Sequence, residues 1–139
     1  MEVRLESTDG PGRTAEVWVD GTLFVVMDEY SRAGDVPSPG LLSDVKFTYM
    51  TEEGLSWDQA IRGNRTGRRL IEQVRGWRYV GYGRVVQIMP VAIDFGLLTM
   101  EDANWTNDED LIGRFVRVPI DRLSITRRIE DDARGEPRR

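Results

Sequence analysis

Arginine gives this chain its most distinctive chemistry. Between positions 61 and 90 stand Arg62, Arg65, Arg68, Arg69, Arg75, Arg78 and Arg84, against a single acid, Glu72. A guanidinium carries a permanent charge and a planar fork of donors, so several together bind phosphate or another polyanion through paired hydrogen bonds. Trp77, Tyr79 and Tyr82 are interleaved with them, and a ring beside a guanidinium is a surface on which the bases of a single strand stack. The candidate polyanion or single-stranded nucleic-acid site is therefore Arg62, Arg65, Arg68, Arg69, Arg75, Trp77, Arg78, Tyr79, Tyr82 and Arg84. The competing reading is ordinary: exposed arginines pair with the surplus acids of their own fold, and strand aromatics pack in the core.

The run Arg75-Gly-Trp-Arg-Tyr-Val-Gly-Tyr82 resembles the first ribonucleoprotein signature of RNA-recognition-motif domains. Arg75, Gly76, Val80 and Tyr82 match it, Trp77 and Tyr79 match as aromatics, and Arg78 stands where that family has Gly or Ala. That family's β-α-β-β-α-β order does not fit a chain whose first four expected strands precede its helix, so the chain is not assigned to it. The strand alternation remains. It places Trp77 and Tyr79 on one face and Arg78, Val80, Tyr82 and Arg84 on the other.

Carboxylates offer a second chemistry. Asp28 and Glu29 close one expected strand, Glu52 and Glu53 follow another, and Glu101, Asp102, Asp108, Glu109 and Asp110 crowd one loop. Acids at strand ends can serve as a general acid and base, or hold Mg²⁺ or Ca²⁺ through oxygen ligands. A calcium loop starting at Asp102 fails, because Asn107 and Gly113 stand where it needs Gly and a bidentate Glu. The chain has no Cys and no His, which excludes thiol and imidazole catalysis, zinc ribbons and iron–sulfur clusters. No cofactor and no tightly bound transition metal are expected. Gly81-Tyr-Gly83 lacks the third glycine of a dinucleotide fingerprint, and Gly63-Asn-Arg-Thr-Gly67 lacks the lysine of a phosphate loop. Glycines in a strand read instead as bulges or corners.

The net charge is -5, which argues against a surface that attracts polyanions as a whole. Positive charge is confined to the central stretch, since residues 1–60 hold 12 acids and 4 basic groups. No stretch of 18 apolar residues occurs and the start is not a basic patch followed by an apolar run, so no membrane association is expected and the location reads as cytoplasmic.

These side chains need a scaffold, and 139 residues with 40% hydrophobic content make one ordinary globular domain. Met1 to Glu6 alternates apolar and charged residues, a strand. Two more strands, near 13–19 and 22–28, flank Asp20-Gly21, the pair that a tight hairpin turn favours. Residues 29–43 carry two Pro and two Gly and read as a loop, followed by a fourth strand through Val45, Phe47 and Tyr49. Ser56 with Gln59 is a capping-box pattern, and Trp57, Ile61, Leu70, Ile71 and Val74 read as a helical face ending at Gly76, weakened by Gly63 and Gly67. Strands follow over 77–88, 91–99 and 114–125, with a helical turn after Thr106. Pro119 favours an edge or a bulge. The expectation is a mainly β fold: a seven-stranded, mostly antiparallel barrel over 1–126, resembling an oligonucleotide/oligosaccharide-binding barrel in layout, with one helix between strands 4 and 5. The charged run 127–139 reads as a disordered tail.

Three functions fit: a non-catalytic binding module, a structural or self-associating protein-interaction domain, and a carboxylate-based or Mg/Ca-dependent enzyme.

Overall fold

The computed structural model describes residues 1–51, 56–102 and 106–128. Over these the chain is mainly β, with ten strands and one short helix. The strands are β1 Val3–Thr8, β2 Thr14–Val19, β3 Thr22–Glu29, β4 Gly40–Leu42, β5 Val45–Thr51, β6 Leu70–Arg75, β7 Arg78–Ile88, β8 Val91–Asp94, β9 Thr99–Glu101 and β10 Phe115–Arg127. The helix is α1, Trp57–Arg62, and a 3-10 turn covers Glu109–Leu111. No helix among the described residues is long and apolar enough to cross a membrane.

The described residues pack as two compact units, one of Met1–Phe47 with residues 124–128, the other within Thr48–Leu123. In the first, β1 pairs antiparallel with β4 and β2, and β2 with β3. Ser124, Ile125 and Thr126 of β10 then add in parallel to Met27, Asp28 and Glu29. The Asp20-Gly21 turn joins β2 and β3 with φ of 51° and 82°, the positive values that such a two-residue turn requires. Alternation does the rest: Val3, Leu5, Ala15, Val17, Val19, Phe24 and Val26 are buried, while Arg4, Glu6 and Trp18 face outward. Asp28 is 1% exposed yet fully partnered, accepting from the Thr8 and Ser31 hydroxyls and from the Tyr30 and Ser31 amides.

In the second unit β7 is the central strand. One of its edges pairs with β10, from Phe115 opposite Arg84 to Ile120 opposite Tyr79. β6 and β8 lie end to end along its other edge, with Leu70 opposite Tyr82 and Asp94 opposite Arg84; β9 pairs with β8. Tyr79, Val85, Val116, Val118, Ile120, Ile93 and Phe95 form the buried face. Gly81 and Gly83 mark close approach here. A methyl on Gly83 would meet the Asp94 carbonyl oxygen at 2.5 Å, and one on Gly81 would collide with the Phe95 ring, whose Cδ1 lies 2.8 Å away.

The expected architecture needs three corrections. The sheet is not closed into a barrel: the strand path has ends, at β4 in the first unit and at β9 in the second, so the oligonucleotide/oligosaccharide-binding layout does not hold as a closed barrel. There are ten strands instead of seven, because β4 lies within the expected loop, the apolar run 91–99 divides into β8 and β9, and half of the expected helix is a strand. That helix stops at Arg62, where the Gly63 amide donates to the Gln59 carbonyl and the Asn64 amide to the Ile61 carbonyl. Leu70–Arg75 forms β6 instead, since Gly76 (φ 55°) with Trp77 makes a two-residue turn that sets Arg75 opposite Arg78. Positive φ at a glycine serves a helix cap and a hairpin turn alike, and pairing with β7 decides between them. Arg127 is the last residue of β10; residues 129–139, the rest of the expected tail, lie outside the described ones.

Candidate functional site

The arginines divide between the two ends of β7. At one end lies the segment after α1. Asn64, 3% exposed, donates to the Arg68 carbonyl (2.9 Å) and to the Val116 carbonyl of β10 (3.1 Å), and its own carbonyl accepts from the Arg68 amide (2.8 Å). All the side chain's strong hydrogen-bonding groups are engaged, and the loop 63–68 is thereby fixed against β10. Gly63 allows this seating, because a methyl there would lie 2.9 Å from Arg117 Cβ. The result is a groove of about 320 Å³ lined by Ile61, Arg62, Asn64, Arg65, Arg114 and Phe115.

Beside the groove, Arg68 and Arg117 both approach the Tyr82 ring. Arg68 Cζ lies over the Tyr82 ring, 4.4 Å from its centroid, and Arg117 Cζ lies 6.0 Å from the same centroid. Arg117 Nε donates to the Tyr82 hydroxyl at 3.4 Å. Register explains the contact, since Tyr82 stands between Leu70 on β6 and Arg117 on β10.

Three of the candidate arginines have acidic partners among the described residues: Arg69 with Asp94 at 2.9 Å, Arg78 with Asp121 at 3.6 Å and Arg68 with Glu72 at 3.9 Å. Exposed pairs of this kind contribute little. Arg62, Arg65, Arg84, Arg114 and Arg117 have no ion pair among the described residues. Exposed acids stand nearby in sequence, Asp108, Glu109 and Asp110, on the 3-10 turn that precedes Arg114.

The candidate residues thus fall into separate places. Arg62, Arg65, Arg68, Tyr82 and Arg84 lie toward the groove. Arg75, Trp77 and Arg78 lie at the opposite hairpin end, ~20 Å from Arg84 at ~3.4 Å per strand residue. Tyr79, 3% exposed, packs in the core opposite Ile120 and is not on the arginine face. Trp77 is half-buried in the turn, its carbonyl accepting from the Leu123 amide. Arg114, Phe115 and Arg117 joined the site without being singled out in sequence. The one local signal was the alternation of Phe115 and Arg117 with Val116 and Val118, which puts them on the polar face, but the pairing that brings them to Tyr82 spans 35 positions.

The carboxylates do not converge. Asp28 is engaged in its loop: burial disfavours its charge, but hydrogen bonds from Thr8, Ser31 and Tyr30 outweigh that and hold the carboxyl below its ordinary value. Asp102, 5% exposed, accepts from the Tyr49 hydroxyl at 3.3 Å. Burial, with the Asp102 charge and hydrogen bond, pushes that phenol far above its usual range. Glu101 is exposed, and Glu52 and Glu53 lie outside the described residues. Among the described residues no group of three acids is placed to hold a metal ion.

Comparison of the chain with family models, curated proteins and solved structures finds no match.

Proposed function

We propose that the protein is a non-catalytic binding module that holds a polyanion on the arginine face of its second unit. The observation that carries this is the groove in which Arg62, Arg65 and Arg114 stand together with no acidic partner among the described residues. Guanidinium forks suit the oxygens of phosphate and sulfate, and Asn64 fixes the loop that bears Arg65 before any ligand arrives. The net charge of -5 opposes long-range attraction, so the contact is short-range and salt-sensitive; screening sets in over ~10 Å at 0.1 M salt.

Titration of labelled inorganic polyphosphate at ~50 mM salt tests this. The wild type binds, and an Arg62→Glu, Arg65→Glu double variant with an unchanged melting temperature loses at least ~10-fold in affinity, one such factor being only 1.4 kcal/mol. Absence of binding by the wild type ends the proposal.

A second reading, self-association, is favoured by one feature of the first unit. Leu41, Arg4, Trp18 and Leu23 stand in one cross-strand row, with Leu41 58%, Trp18 37% and Leu23 39% exposed. Arg4 lies in this row with Glu6 and Glu16 close by, an arrangement that complements a second copy of itself about a two-fold axis. Sedimentation at rising concentration, with Trp18→Glu as the control, distinguishes this reading from a monomer.

A further inference from the structure

We infer that the polyanion held on the arginine face is a base-bearing single strand of nucleic acid, with a base stacked on the Arg68 guanidinium. This rests on the polyanion reading and narrows it from charge to chemistry.

Two features favour a base-bearing ligand. First, Arg68 is fixed at both ends. Its backbone amide and carbonyl are both bonded to the Asn64 side chain, and its guanidinium lies over the Tyr82 ring at 4.4 Å. One side of the cation is therefore covered by an aromatic ring, while the side chain remains 45% exposed. Guanidinium planes of this kind accept bases of single strands, and a plane already held in place loses less freedom when a base arrives. Glu72, at 3.9 Å and itself 57% exposed, is too weak a partner to withdraw it.

Second, the stacking plane and the phosphate donors adjoin. Asn64 lines the groove with Arg62, Arg65 and Arg114 and is the same residue that fixes Arg68. Phe115 lines the groove, and Arg117, two residues along the same face of β10, reaches the Tyr82 ring over which Arg68 lies, so a strand whose phosphates lie in the groove carries a neighbouring base toward Arg68. A duplex keeps its bases stacked on each other and offers none. Polyphosphate and sulfated sugars have no base to offer, so they engage the groove alone.

The test uses fluorescence anisotropy at ~50 mM salt with an oligothymidylate, an oligouridylate, an abasic deoxyribose-phosphate strand of equal length and a duplex. These are titrated with the wild type, Arg68→Lys and Tyr82→Leu, each checked for an unchanged melting temperature. Base-bearing strands bind at least ~5-fold tighter than the abasic strand and the duplex, the low end of one stacked base. Arg68→Lys keeps the charge but not the plane, so it loses that ratio while its affinity for the abasic strand stays within ~2-fold. Tyr82→Leu removes the support and loses the ratio likewise. A preference for either the thymidylate or the uridylate strand supports the inference equally, because both carry bases. Equal affinity for base-bearing and abasic strands overturns it and leaves the polyanion reading standing. A ratio unchanged in both variants overturns the role of Arg68. No binding of any probe removes both proposals together.

Discussion

The Asn64 side chain donates to the Val116 carbonyl at 3.1 Å across 52 positions of sequence. With its two bonds to the Arg68 backbone, this buried amide is what joins the arginine-bearing loop to β10. Asn64→Ala leaves the Val116 carbonyl and both Arg68 backbone groups without that partner, a cost of ~1 to 3 kcal/mol. Urea unfolding measures it, and polyphosphate affinity falls in parallel because Arg65 and Arg68 lose their fixed positions. A variant as stable as the wild type that still binds equally well would show that Asn64 does not organise the site.

Gly83→Ala destabilises by more than ~2 kcal/mol, since the added methyl meets backbone that cannot swing aside, and overpacking of this kind costs ~1 to 3 kcal/mol or more. Gly76→Ala is the contrast. Its φ is +55° with nothing within 4 Å of a new methyl, so only left-handed backbone strain of ~1 to 2 kcal/mol applies. Thermal melts of the two variants side by side should rank them in that order; the reverse order would refute the close contact at Gly83.

Asp28 makes the fold acid-sensitive. Its carboxyl is held below its ordinary value, so its contribution is fully present above the unfolded pKa of ~3.9 and fades as pH falls through the lower folded value. Asp28→Asn turns an acceptor-only group into one that also donates, facing the Thr8 and Ser31 donors. It costs ~1.5 to 3 kcal/mol at pH 7, the range for hydrogen bonds to a charged group. The gap between wild type and variant narrows as pH falls below ~4. Urea midpoints at pH 7 and at low pH check this, and a gap constant across the range would mean that Asp28 is not ionised in the fold.

Arg127 holds the segment after β3. Its Nε donates to the Tyr30 carbonyl at 2.8 Å, a second nitrogen reaches Asp35 at 3.1 Å, and its Cζ lies 4.4 Å from the Tyr30 ring centroid. Arg127→Lys retains charge but not the planar fork, so it should expose the segment 31–39 to limited proteolysis faster than the wild type. Cleavage elsewhere, or at the same rate, would contradict that role.

The legible parts of this fold are the local ones. Asp20-Gly21 announces its hairpin because few residue pairs accept positive φ twice in succession, and the alternation around Val17 and Phe24 shows which side is buried. Ser56 marks the start of α1, and its hydroxyl does accept from the Gln59 amide at 3.4 Å. Leu70, Ile71 and Val74 mislead because their spacing fits a helical face, whereas Val74 is 61% exposed on a strand that owes its form to β7. Closure of a sheet is decided by which distant strands pair, and nothing local to β4 or β9 encodes that. The site shows the same division. Arg62, Arg65 and Arg68 stand out as a cluster along the chain, while Arg114, Phe115 and Arg117 become their neighbours only through the antiparallel register of β7 and β10.

Gly81 and Phe95 share one volume, so neither position can drift independently. An aromatic ring at 95 is compatible only with hydrogen as the side chain at 81, and a lineage that acquired alanine at 81 would first have to shrink the residue at 95. In any set of relatives the two columns should therefore vary together, glycine with a ring, a larger residue with a smaller one. The pair links β7 to the end of β8, and such linked variation would be a record of this packing that needs no coordinates to read.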